Sequence, residues 1–321
     1  RIAYLLGERN VAPYEVLAIT FTNKAANEMK ERVIELVGNR AKAMWVSTFH
    51  SACVRILRSD AQALGYSNSF TIYDASDSLR LVNLVMKDMN LDPKRYNSRA
   101  IAGLISDAKN ELMGPADFAQ TVKNQFDEIV AEVFTHYQKR LINANAMDFD
   151  DLIGRTVELF QRHPEVRAKY RSRFKHILVD EYQDTNHAQY VLIRELVGVT
   201  YDGFPQAELC VVGDSDQSIY AFRGANIRNI LQFEDDFTDA TTILLEQNYR
   251  STQNILSAAN AVISNNEGRK DKNLWSESGA GDIIKGYVAE DEHNEADYII
   301  GAIKRLRDEG ISNPGDTAIF Y

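Results

Sequence analysis

Cysteine is scarce in this chain. There are two among 321 residues, Cys53 and Cys210, each in an apolar run (SACVRIL and ELCVVGD) and neither at a metal-ligand spacing. That points away from a disulfide framework or a thiolate metal site and toward free, buried thiols in a reducing cytosol. Long hydrophobic runs are lacking too. Nothing approaches the roughly 18 uninterrupted apolar residues of a membrane span, and the first residues show no signal-peptide pattern. Basic excess is also missing: 36 Lys and Arg stand against 46 Asp and Glu, a net charge of -10. A protein that holds nucleic acid mainly through a basic surface is therefore excluded, and any such grip must be local, through stacking and a few placed cations. Internal repeats and low-complexity tracts are absent. The 45% hydrophobic and 26% charged content is that of ordinary globular protein, and the length suggests two or three domains.

Short apolar runs feeding helices dominate the first part. Val16 to Phe21 (VLAITF) reads as a buried strand, followed by a helix with Ala26, Met29, Val33 and Val37 on one face. Thr22 or Asn23 can cap its first turn. Ala43 to Ser47 reads as a second strand, and the helix after it carries Val54, Leu57, Ala61 and Leu64 as a stripe. His176 to Val179, Glu208 to Val212 and Thr242 to Leu245 are apolar on both faces, as central parallel strands are. The alternation predicts a doubly wound α/β domain. From Ala75 to Ala146 helical periodicity takes over, which predicts a helical insertion, with the parent sheet resuming after MDFDDL (Met147 to Leu152). A further region opens at Tyr249, with strands expected at Asp282 to Val288 and Thr317 to Tyr321 around a helix at Asn294 to Arg307. The expected divisions are thus 1–74 and 147–248 for one α/β domain, 75–146 for the insertion and 249–321 for the start of another. The sequence stops within the last expected strand, as a segment of a longer protein would.

Three motifs carry chemistry. HILVDEYQDTN (His176 to Asn186) ends an apolar strand in two acids, at the sheet edge where such folds bind ligands. Asp180 is placed to hold Mg²⁺, directly or through water, and Glu181 to orient or deprotonate an attacking water. VVGDSDQSIYAFRGA (Val211 to Ala225) follows another strand. Gln217 is suited to sensing a γ-phosphate, and Tyr220, Phe222 and Arg223 alternate aromatic and cationic groups suited to stacking on bases. For Phe222 a place in the core is the competing reading. LLEQNYRST (Leu244 to Thr252) sets Tyr249 where it can stack on adenine and Arg250 where it can meet a transferring phosphoryl group. A surface ion pair is the alternative for Arg250. Two earlier motifs, ITFTNKAANEM and STFHSAC, are expected to expose Phe21, Thr22, Phe49, His50 and Ser51 after strands, where hydroxyls and helix N-termini can bind backbone phosphates. His50 has no Cys or acid at a metal-ligand spacing.

In this order the five motifs resemble superfamily 1 DNA helicases of the UvrD/Rep/PcrA type, and the likeness runs over essentially the whole chain. The resemblance implies two RecA-like P-loop NTPase domains with insertions, ATP and Mg²⁺ as cofactors, and single-stranded DNA and its junctions with duplex as partners. It implies an ATP-dependent 3′-to-5′ helicase of DNA repair or replication, cytoplasmic and associated with the bacterial nucleoid. The roles that it implies are Mg²⁺ for Asp180, water activation for Glu181, γ-phosphate coupling for Gln217, adenine stacking for Tyr249 and transition-state charge for Arg250. Phe21, Tyr220, Phe222 and Arg223 would meet DNA. Against the family pattern the rest of the second RecA-like domain, its insertion and the second arginine are missing, and two further departures lie in the motifs. No Gly-Lys pair of a G-x-x-x-x-G-K-[ST] loop occurs, so this stretch alone is expected to hydrolyse no ATP. Phe222 stands where many members carry tryptophan, and stacks with less area. The rival expectations are the motor part of a helicase-nuclease, or a non-motor DNA-binding module that has lost its ATPase.

Overall fold

The computed structural model describes residues 1–198, 203, 205–221, 224–266 and 272–321. It divides into two compact units, Arg1–Thr241 and Thr242–Tyr321. The first unit is built from α1 (Ile2–Gly7), β1 (Val16–Thr20), α2 (Asn23–Val37), β2 (Trp45–Thr48), α3 (Phe49–Asp60), β3 (Thr71–Tyr73), α4 (Ala75–Asp88) and α5 (Ser98–Asn110). It continues with α6 (Pro115–Ala119), α7 (Gln125–Asn143), β4 (Ala146–Asp148), α8 (Phe149–Arg162), α9 (Pro164–Arg173), β5 (His176–Val179), α10 (His187–Val197), β6 (Glu208–Val211), α11 (Arg228–Leu231) and α12 (Phe233–Asp236).

The main sheet is parallel, in the order β2-β1-β5-β6. Side chains alternate along its strands. Leu17, Ile19, Ile177 and Val179 enter one core with Phe49, Ile56, Leu57, Leu192 and Ile193, while Val16 and Ala18 enter another with Ile2, Leu6 and Val33. Both faces are covered, which is why β1 reads as an unbroken apolar run and is buried throughout.

Helix starts are fixed locally. Thr22 Oγ1 accepts the Ala25 amide at 3.1 Å, Asp74 the Asp77 amide at 2.8 Å, and Asn186 the Gln189 amide at 2.9 Å, each satisfying a donor that the first turn leaves unpaired. The 75–146 region holds α4, α5 and α7 around Val82, Ile101, Val130, Phe134 and Tyr137. Its ends are joined by β3 and β4, a parallel pair in which Ile72 faces Met147. The periodicity did not reveal this pair, because three residues per strand are too few to set a pattern.

A buried ionic cluster ties this region to α8. Lys109 Nζ on α5 lies 2.5 Å from Asp148 Oδ2 and 3.1 Å from Asp151 Oδ1. Tyr137 Oη on α7 donates to Asp148 at 2.8 Å, and Gln138 Nε2 donates to Asp151 at 3.1 Å. Burial works against the Lys109 charge, but the Asp151 and Asp148 carboxylates outweigh it and hold its pKa above the ordinary lysine value.

The second unit contains α13 (Gln253–Ile263) and α14 (Glu292–Asp308). Strands expected at 242–245, 282–288 and 317–321 do not form among the described residues. Among the described residues no strand ladder forms along these runs, and Ile243 and Val288 are 77% and 95% exposed. An apolar run becomes a strand only when a neighbour accepts and donates its backbone bonds.

Candidate ATP and DNA site

The register of the sheet brings four motifs to one edge. Thr20 pairs with Thr48, Ile19 with Val179, and Val179 with Val211. The residues that follow, Phe21, Phe49, Asp180 and Val212, therefore leave the sheet together at its carboxyl edge, where parallel α/β sheets place their ligand sites.

Asp180 is fixed there by its amide, which donates to Ile19 O at 2.9 Å. Its carboxyl is half-buried, and its pKa is raised by burial first and by the Glu181 charge second. A divalent cation relieves that kind of strain, so the pair fits Mg²⁺. Among the described residues no group of three or more His, Cys, Asp or Glu is arranged to hold a metal. Mg²⁺ is commonly held by one or two carboxylates, with water and phosphate oxygens completing its shell.

Glu181 is exposed and left-handed, at φ 52°, a conformation that costs a non-glycine residue about 1–2 kcal/mol. Gln183, 1% exposed, donates from Nε2 to Glu181 Oε2 at 2.9 Å and accepts the Asp214 amide on Oε1 at 3.0 Å. Gln217 donates to Asp214 Oδ2 at 2.7 Å. Thr185 O accepts the Asn226 amide and Asn229 Nδ2, at 2.9 and 3.0 Å. The acidic loop after β5 and the loop after β6 are thus one hydrogen-bonded assembly.

At the same edge the His50 and Phe149 rings lie 4.4 Å apart, and Phe149 is 52% exposed. Burial lowers the His50 pKa to about 4, so its ring is neutral at pH 7 and offers a face and a hydrogen bond rather than charge. Thr22 and Ser51 are exposed. Phe21 packs edge-on against Phe49 at 5.6 Å. Phe49 is a correction: it is 1% exposed and belongs to the core, so it supports Phe21 and has no surface to offer DNA. Tyr220 is exposed, and Phe222 and Arg223 lie outside the described residues.

The second unit carries the remaining candidates. Tyr249 is 82% exposed and its Oη donates to Gln247 at 2.9 Å. The backbone of Arg250 is set by Asn248, whose Oδ1 accepts the amides of Arg250 and Ser251 at 2.9 and 2.8 Å. Cys53 is buried, and its thiol is pushed up to about 12 by burial. Cys210 is only partly buried.

Sequence reasoning passed over Gln183, Asp214 and Phe149. Each sits inside a quoted motif, and for Phe149 the signal was an aromatic between two acids directly after a strand.

Comparison with known proteins identifies the family. Residues 1–238 match the UvrD/REP helicase N-terminal domain and residues 243–321 the UvrD-like helicase C-terminal domain. The chain is 57% identical to the ATP-dependent DNA helicase UvrD1 of Mycobacterium tuberculosis over 326 residues, covering 100% of this chain and 42% of that protein. It is 51% identical to the ATP-dependent DNA helicase PcrA of Bacillus subtilis over 321 residues, covering 100% of this chain and 43% of that one. The chain therefore spans less than half the length of these relatives. With both domain types matched along its length, it belongs to the UvrD/Rep helicase family.

Proposed function

We propose that the full-length protein carrying this sequence is an ATP-dependent DNA helicase that moves 3′ to 5′ on single-stranded DNA and opens duplex ahead of it, in DNA repair or replication. The observation that carries this reading is the Asp180–Glu181 pair at the carboxyl edge of the sheet, bonded through Gln183 and Asp214 to Gln217. ATP bound with Mg²⁺ supplies the phosphoryl group whose transfer to water drives movement. In this reading Asp180 holds the cation and Glu181 orients the attacking water and takes its proton. Gln217 keeps its second amide N–H for a phosphate oxygen while Asp214 fixes the first. Tyr249 offers its exposed ring to adenine, and Arg250 its charge to the transferring group.

The DNA face is read from aromatic groups, as a chain of net charge -10 requires. The Phe149–His50 pair, Phe21 and Tyr220 stack on bases, and the Thr22 and Ser51 hydroxyls take phosphate oxygens. Phe222 and Arg223 join them on the strength of sequence. A strand-displacement assay on the full-length protein tests the whole. Duplex with a 3′ single-stranded tail is expected to open with ATP, while a 5′-tailed or blunt duplex stays closed. Opening from the 5′ tail would overturn the polarity, and no opening of any substrate would overturn the helicase.

Phe149→Ala tests the platform. Loss of one stacked base is worth about 1–3 kcal/mol, or roughly 5- to 150-fold in single-strand affinity, while the slope of affinity against salt stays unchanged because no phosphate contact is lost. Since Phe149 is half exposed, the melting temperature should move little. A large melting shift with intact DNA affinity would make the ring structural.

A further inference from the structure

We propose that Gln183 is a positioning residue for hydrolysis, holding the Glu181 carboxylate in its working orientation and tying it to the loop that carries Gln217. The proposal rests on Glu181 as the water-activating group. Among the described residues, Gln183 Nε2 supplies the one hydrogen bond that the Glu181 carboxylate accepts. Glu181 stands on a left-handed backbone, so its direction is not set by a helix or strand, and it is exposed. Without that bond its side chain has solvent freedom.

The orientation of the Gln183 amide is forced by chemistry. The Asp214 backbone amide, 3.0 Å away, can only donate, so the carboxamide oxygen must face it. The NH₂ group is then turned to the carboxylates, Glu181 at 2.9 Å and Asp184 at 3.4 Å. Gly213 makes the approach possible: a Cβ there would stand 2.6 Å from Gln183 Oε1 and 3.2 Å from the Tyr182 amide nitrogen. One buried side chain thus reads the position of the loop after β6 with its oxygen and sets Glu181 with its nitrogen. A shift of Asp214 and Gln217 reaches Glu181 through two hydrogen bonds.

The test uses the full-length protein, with single-stranded DNA, ATP and Mg²⁺. Gln183→Met removes both bonds at similar volume. It is expected to lower kcat about 10- to 100-fold, as misplacement of a reacting group does, with KM for ATP changed less than about threefold. Gln183→Glu separates positioning from packing. Its carboxylate beside Glu181 and Asp184 repels both, but once protonated it becomes a donor again. Turnover relative to the unaltered protein should therefore recover as pH falls from 8 to 6. If Gln183→Met does not fold, this pH profile alone decides. A Gln183→Met kcat within threefold of the unaltered protein, or a relative Gln183→Glu rate that does not change with pH, would overturn the proposal. Glu181→Gln, run in parallel, keeps the two ideas apart. If Glu181→Gln abolishes turnover while Gln183 variants keep it, only positioning fails; if Glu181→Gln is active, the role of Glu181 fails first.

Discussion

Glu181→Gln in the full-length protein is expected to cut DNA-stimulated ATP turnover by about two to four orders of magnitude, the usual worth of a positioned proton acceptor. Nucleotide binding should change little. The substitution keeps the shape of the side chain and its place at the exposed end of β5, and removes only the oxygen that can take a proton. Because Asp180 keeps its carboxylate, cation binding should survive, so the loss should appear in kcat rather than in KM. Among the described residues the Glu181 carboxylate accepts one hydrogen bond, from Gln183, and its side chain is exposed, so the melting temperature should stay put. Steady-state kinetics with single-stranded DNA, beside a fluorescent-nucleotide titration, measure both quantities. A turnover loss below tenfold would remove Glu181 from the chemistry.

The elements that position this residue were legible because they are buried on two faces. VLAIT and HILV are apolar at every position or nearly so, and both became central strands. The acids could be placed at the sheet edge because Asp180 directly follows such a run. Phe49 shows a signal present but unused. Phe49, Ala52, Cys53, Ile56 and Leu57 follow the i, i+3, i+4, i+7, i+8 spacing of one helix face, and all five are buried. Reading Phe49 as part of an exposed loop after the strand, rather than as the start of α3, put it on the wrong surface.

Gln183 is different. Its partner amide at Asp214 is 31 residues away, and no local pattern announces a bond between two loops. Nor does spacing disclose the surroundings of Lys109. In SDAKNELM it has the company of a solvent-facing helix end, yet it is 6% exposed. Its acids lie 39 and 42 positions on, across the fold.

Lys109 carries the second large expected effect. Lys109→Met should destabilise the first unit by about 3–5 kcal/mol, because removing one partner leaves buried carboxylates without compensation. For a unit of this size that lowers the melting temperature by roughly 6–20 °C. The methionine fills the space of the lysine stem, so a cavity contributes little, and the loss is electrostatic. Its pH dependence follows from Asp151. Burial raises the pKa of that carboxyl, but Lys109 and then Arg155 outweigh it and hold it below the ordinary carboxylate range. A depressed carboxylate contributes stability above its unfolded pKa and loses it as pH falls through the folded value. With the cation gone the sign reverses: burial dominates, the Asp151 pKa rises, and stability is retained below the unfolded pKa and lost as pH climbs through the raised one. The difference between the two proteins should therefore be largest near pH 7 and above and shrink toward pH 4. Adding Asp151→Asn to Lys109→Met should recover part of the stability at pH 7, since a neutral amide can still accept from Gln138 without an unpaired charge. Urea unfolding at pH 4.5 and 7.5 reads all three proteins. A loss that is equal at both pH values, or not reduced by Asp151→Asn, would show that Lys109 acts there through packing and not through its charge.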